Sequence, residues 1–174
     1  MEDVFLSLGS NLGDRAATLR AALARLAKLG RVAAASSLYE SEPVDYTAQP
    51  WFLNAVVQLN IDAGDDAEAP HRLLTALHAI EHDLGRCREG AIPKGPRPID
   101  IDILLYGARV LRTADLTVPH AAMHERRFVL EPLVEIAPEV RHPALRRTAR
   151  ELLASLAPGQ QLRRLGPFLT AGIL

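Results

Sequence analysis

The sequence predicts an α+β fold, and three observations carry that prediction. Short apolar runs of strand character and two stretches of helical periodicity follow one another in the order βαββαβ. Glycines and prolines punctuate them, and the alternation is too irregular for a doubly wound parallel sheet. The order is that of a ferredoxin-like core, here with added strands and helices after it, a mostly antiparallel sheet and a three-layer α/β/α build. At 174 residues one domain, 1–174, is expected.

Val4-Phe5-Leu6-Ser7-Leu8 has strand character and is stopped by Gly9-Ser10-Asn11-Leu12-Gly13-Asp14. Over 15–28 the apolar positions Leu19, Leu23 and Leu26, with Ala22 and Ala27, recur at helical spacing, between Asp14 as N-cap and Gly30 as a stop. Strand, glycine loop and helix look like a phosphate loop, but the Lys-Ser/Thr of that motif is missing, so the connection is structural or lines a site. Residues 32–39 read as one strand, weak because of its alanines. Residues 40–50, holding Pro43 and Pro50, form a long loop, and such loops in a compact domain tend to be functional. Residues 51–59 form a third strand, paired with the second as a wide hairpin. Asn54 inside it either satisfies backbone groups or reads the edge of a ligand.

After an acidic turn at 64–70, Leu73, Leu74, Leu77, Ile80 and Leu84 mark a second amphipathic helix that ends at Gly85. Residues 86–96 are polar, charged and rich in glycine and proline, which predicts a mobile surface loop. A strand follows at 99–106, turned by Gly107-Ala108 into a short partner at 109–111. Residues 116–120 then lead to a polar turn at 123–127 and an apolar run at 128–133. A last helix is predicted from near Thr148 to before Pro158, and the tail beyond it carries no pattern.

The stretch Gly95-Pro96-Arg97-Pro98-Ile99-Asp100-Ile101-Asp102 holds the chemistry. On a strand, Asp100 and Asp102 point to the same face, about 7 Å apart. Two such carboxylates at the mouth of a buried strand repel each other unless a cation lies between them. Two carboxylates with coordination positions left open suit Mg²⁺ shared with substrate phosphates; the plain alternative is a solvated strand edge. Arg97 is then a phosphate clamp, and Arg86, Arg88 and Lys94 crowd the preceding loop. Val118-Pro119-His120, followed by Arg126, sets a histidine and an arginine at a strand end. Phe52, Asn54 and Phe128, with the loop around Pro43, imply a pocket of flat apolar surfaces and one amide.

The formal net charge of −1 disfavours nucleic acid as a partner, and local arginine clusters suit a small polyanion better. The single cysteine, Cys87, excludes an internal disulfide and fits a reducing cytosol. No run reaches membrane-spanning length and no leader is recognised, so a cytoplasmic location and no membrane partner are expected. His78-Ala79-Ile80-Glu81-His82 matches the His-x-x-Glu-His signature of a zinc hydrolase helix, a competing reading. A second rival is a nucleotide-binding regulator without catalysis.

These fragments, in this order and at these intervals, resemble the 6-hydroxymethyl-7,8-dihydropterin pyrophosphokinase family of folate biosynthesis over roughly residues 4–143. The resemblance implies that ATP donates its β,γ-diphosphate to the pterin hydroxymethyl group and leaves as AMP. It implies two Mg²⁺ ions on Asp100 and Asp102, with Arg86 and Arg97 beside them in the catalytic set. ATP is expected to meet Arg86, Arg88, Lys94, Arg97, Ile103, His120 and Arg126. The pterin is expected between Phe52 and Phe128, bonded by Asn54 and by Ser41, Glu42, Pro43 and Val44. The partners are these small molecules, and a monomer is expected. Two departures stand out: Lys94 replaces a tryptophan common in the family, and Phe52 a frequent tyrosine.

Overall fold

The computed structural model of this chain describes residues 1–44, 46–87 and 92–168. Its sheet is organised on β1 (Glu2–Ser10), in which Val4 to Leu8 are all buried. A strand buried on both faces belongs in the middle of a sheet, and β1 runs antiparallel between β4 (Phe52–Ile61) and β5 (Asp100–Tyr106). The sheet order is β10 (Leu162–Pro167), β3 (Ser37–Ser41), β4, β1, β5, with β2 (Arg31–Ala35) also on β4. The fold is mixed α/β with an antiparallel sheet, as the element order predicts.

The helices divide between two cores. α1 (Arg15–Leu26), capped by Asp14 through Ala17 N–H, buries Leu19, Ala22, Leu23 and Leu26. α2 (Ala69–Asp83) buries Leu73, Leu77 and Ile80, and both stripes join Leu6, Leu8, Val57, Ile101 and Ile103 in the larger core. α3 (Arg127–Ile136) and α4 (Ala149–Ala154) form a second core with Phe5, Val56 and Leu104. Burying side chains such as these contributes on the order of 1.5–3 kcal/mol each, so the two cores hold the sheet that carries the site.

Two sequence expectations are corrected, the last helix lies where it is expected, and the tail gains a structure. Residues 32–39 are two strands, because Ser36 breaks the run: its Oγ donates to Ser37 O and accepts from Val56 N–H. The 109–111 segment does not pair back on the 99–106 strand. Arg109 is tied to Gly64 O, Asp66 O and Glu2, and β6 (Leu111–Arg112) pairs with β7 (Thr117–Val118). The last helix is one short turn and a half, 149–154, opened by a reciprocal Thr148–Glu151 capping box. The tail is a strand: β10 pairs with β3, and Arg164 bonds both Ser37 Oγ and Glu135 of α3. The apolar run at 128–133 is the centre of α3. A small hairpin of β8 (Arg141–His142) and β9 (Arg147–Thr148) leads into α4.

Candidate active site

The register of the sheet places the site. Asn54 on β4 faces Gly9 on β1, which faces Asp100 on β5; one pleat further along β1, Ser7 faces Asp102. Large polar side chains on the outer strands thus flank two small residues on the central one, and the small residues form the floor of a cleft. A Cβ on Gly9 would lie 3.3 Å from Asn54 Oδ1 and 3.8 Å from Phe52 Cδ1, so the floor has no room to spare. Gly9 opens the glycine loop that the sequence allows to line a site, and it does so here; Ser7, two residues earlier on the same face, is the small residue that the strand pattern does not single out.

Two pockets meet over this floor. The first is lined by Ser41, Glu42, Val44, Phe52, Asn54 and Phe128, with Gln49 and Gln160. The second is lined by Arg86, Ile103 and His120, with Thr117 and Ala121. Lys94, Arg97, Asp100, Asp102 and Arg126 line both. The residues expected at a flat ligand fall in one pocket, those expected at a nucleotide in the other, and the carboxylates stand on the common wall. Pro43 lines neither pocket, and Arg88 lies outside the described residues.

The common wall is strongly polar. Arg86 Nη1 donates to Glu81 Oε1 at 2.7 Å, to Ile99 O at 3.1 Å, and to Asp100 Oδ1. Arg97 Nε donates to Asp100 Oδ2 at 2.9 Å. Glu81, buried at the inner face of α2, also accepts from Ile101 N–H at 2.8 Å, so α2 grips the start of the aspartate strand through one carboxylate. Among the described residues, no hydrogen bond reaches the Asp102 carboxylate. Burial, and then the neighbouring charge of Asp100, push it up to about 7. A buried carboxylate pushed up by a neighbouring one is a donor pair that a divalent cation would suit, so Asp100 and Asp102 fit a metal. Burial, and then the positive charge of Arg126, lower the pKa of His120. Its Nδ1 accepts from Ala122 N–H at 3.1 Å, which leaves the other ring nitrogen to donate. The guanidinium of Arg97 lies 4.9 Å from the Phe52 ring centre and that of Arg126 5.7 Å from Phe128, so both rings are covered by cations.

Asn54 is buried and donates to Ser41 Oγ at 2.8 Å and Tyr39 O at 3.4 Å. It therefore orders the strand end beside the first pocket. A second pair of amides fastens the rim. Asn11 Oδ1 accepts from Arg97 N–H, and its Nδ2 donates to Gln49 Oε1 and Pro50 O. Gln49 Nε2 in turn donates to Lys94 O and Tyr46 O. The loop at 46–50 and the loop at 94–97 are held to each other through the end of β1. Asn11 and Gln49 belong to the fragments that carry the family resemblance, but nothing in their spacing announces a contact across the chain.

The histidine motif does not assemble a metal centre. His78 and His82 sit on the exposed side of α2 while Glu81 turns inward to Arg86. Among the described residues, no group of three or more His, Cys, Asp or Glu is placed to hold a metal. Cys87 is exposed.

The model of the family described as 7,8-dihydro-6-hydroxymethylpterin-pyrophosphokinase (HPPK) matches residues 5–138. The chain belongs to the HPPK family. It is 43% identical over 160 residues to the 2-amino-4-hydroxy-6-hydroxymethyldihydropteridine pyrophosphokinase of Methylorubrum extorquens, covering 91% of this chain and 96% of that protein. It is 40% identical over 181 residues to the folic acid synthesis protein fol1 of Schizosaccharomyces pombe, covering 98% of this chain and 24% of that protein. The chain thus spans about a quarter of that HPPK relative and nearly all of the bacterial one. In fold it is similar to the Plasmodium falciparum HPPK-DHPS crystallised with pterin and p-hydrobenzoate, with a TM-score of 0.66 at 18% identity over 88% of this chain and 44% of that one. No helix among the described residues is long and apolar enough to cross a membrane.

Proposed function

We propose that this chain transfers diphosphate from ATP to the hydroxymethyl group of 6-hydroxymethyl-7,8-dihydropterin in folate biosynthesis, releasing AMP. The observation that carries the reading is the common wall: Asp100, Asp102, Arg97 and Arg126 border both pockets, where a reacting group passing from one ligand to the other must lie. In this transfer the hydroxymethyl oxygen bonds to the β-phosphorus, and the bond from that phosphorus to the oxygen bridging the α-phosphate breaks. AMP leaves with the bridging oxygen and the hydroxyl proton is released. Phosphoryl transfer needs positioning and charge neutralisation more than covalent help, and the site is rich in both.

The pterin ring is assigned between Phe52 and Phe128, with Ser41, Asn54 and the backbone at Val44 on its polar edge. Glu42 stands behind that edge. The triphosphate is assigned to Arg86, Arg97, Lys94 and Arg126, and the nucleoside to Ile103 and His120. Arg86 and Arg97 now rest on Asp100, which holds them in place for an anionic ligand. Asp100 and Asp102 would hold two Mg²⁺ ions, whose charge would neutralise phosphate oxygens and acidify the attacking hydroxyl. Lys94, with positive φ, lines both pockets at the position where the family resemblance leads one to expect a tryptophan. We read the architecture as ferredoxin-like in three layers, one domain over 1–174, acting as a cytoplasmic monomer.

The test is incubation with Mg²⁺, ATP and 6-hydroxymethyl-7,8-dihydropterin. AMP is expected only when both substrates are present; ADP, or AMP without pterin, would reject the assignment. Gly9→Ala is expected to raise the pterin KM about tenfold, because the added methyl crowds Asn54 and Phe52 on the cleft floor. The ATP KM should stay within about twofold. Initial rates over both substrates check this, and an unmoved pterin KM removes the pterin from the first pocket.

A further inference from the structure

The first pocket has a wall that lies beyond residue 138, where the family match ends. Gln160, just ahead of β10, lines the pocket beside Glu42 and Val44. Its Nε2 donates to Glu42 O at 2.9 Å. The next residue closes a loop of contacts on the same partner: Gln161 N–H donates to Glu42 Oε1 at 2.7 Å, and Gln161 O accepts from Glu42 N–H at 3.3 Å. Leu162 then pairs with Ser41 in the sheet.

Both peptide groups of Glu42 and one of its carboxylate oxygens are thereby committed to residues 160–161. They are not offered to a ligand; they fix the direction in which the chain leaves Ser41 towards Pro43 and Val44. The holder is itself anchored, because Arg164 of β10 bonds Ser37 Oγ at 3.0 Å and Glu135 of α3 at 2.7 Å. A backbone that must present hydrogen-bonding groups to a flat heterocycle gains affinity from being fixed before the ligand arrives.

We propose that Gln160 is a positioning residue for the heterocyclic substrate: it and Gln161 fix Glu42, and so the edge of the first pocket that reads the ring. The proposal rests on the pterin assignment made above. Gln160 lines only the first of the two pockets that meet at the aspartates, so its influence belongs to the pterin and not to ATP.

Kinetics and direct binding on the full chain test this. Gln160→Ala is expected to raise the pterin KM and its Kd, measured beside a non-hydrolysable ATP analogue, about five- to tenfold, as expected for a lost hydrogen bond in a preorganised site. The ATP KM is expected to stay within about twofold and the melting temperature within about 2 °C. Gln160→Glu, which turns an acceptor towards Glu42 O, is expected to weaken pterin binding further. Leu165→Ala, on the exposed side of the same strand, should move neither constant. Equal rises in both KM values, or a loss explained by lower stability, would make Gln160 merely structural and overturn the proposal. Unchanged pterin constants in both Gln160 variants, with an active wild type, overturn it alone. A wild type that neither binds pterin nor releases AMP overturns the functional reading and this proposal together.

Discussion

Asp102→Asn is expected to reduce AMP release on the order of a thousandfold while making the protein more stable. The two effects have one cause. Burial and the neighbouring Asp100 push the Asp102 carboxyl from its usual 3.8 to about 7, so the folded chain takes up a proton that the unfolded chain has already released. Ionised Asp102 therefore opposes folding. The penalty is absent below about pH 4, grows as pH rises, and is fully present above about pH 7. Asparagine removes it, for a gain of about 1–2 kcal/mol at pH 8, or roughly 2–8 °C in Tm. Added Mg²⁺ should raise the Tm of the wild type and leave that of the variant nearly unmoved. Thermal unfolding at pH 4 and pH 8, with and without Mg²⁺, checks the stability side. Wild-type turnover in the variant would sink the metal assignment.

Glu81→Ala should fail differently, through the fold. Its carboxylate is buried and accepts from both Arg86 and Ile101 N–H, so truncation leaves a buried peptide donor without its acceptor and takes from the half-buried Arg86 one of three partners among the described residues, the others being Ile99 O and Asp100. The loss is about 3 kcal/mol, a fall in Tm of roughly 6–12 °C. Because Arg86 also lines the second pocket, to which the nucleotide is assigned, the ATP KM should rise along with it. Glu81→Gln keeps an acceptor for Ile101 and should recover a good part of the stability. A Tm within about 2 °C of wild type for the alanine variant would show that the grip of α2 on the aspartate strand is unimportant.

The part of this molecule that could be read from the sequence is the part written in periodicity. The central strand, the two helices over the larger core and the aspartate strand each carry their own apolar pattern, and Asp100 and Asp102 share a face because a strand repeats every two residues. What escaped is written in contacts between distant segments. Ser36 splits a strand by bonding across to β4, and Arg109 draws its segment towards residues 64–66. Leu162-Arg163-Arg164 has no strand signature until Ser41 is beside it. Within the site, the charged and aromatic residues were legible through their motif, whereas the roles of Ser7, Gly9, Asn11, Gln49 and Gln160 rest on small size or on amide geometry. Such residues differ from ordinary loop and strand residues only in where they lie. The His78/His82 motif failed for the same reason in reverse: its spacing is right, but the helix turns those rings to the surface while Glu81 goes inward.

The fastening of the rim by Asn11 and Gln49 has a consequence for how the two substrates respond to ionic strength. Its hydrogen bonds join neutral amides to each other and to backbone groups, so there is no net charge for added ions to screen. The second pocket, to which the nucleotide is assigned, is lined by guanidinium and ammonium groups, whose attraction for a polyanion weakens as the Debye length contracts from about 10 Å at 0.1 M to about 3 Å at 1 M. Concentrated salt should therefore loosen the hold on ATP while the rim keeps its shape around the uncharged heterocycle.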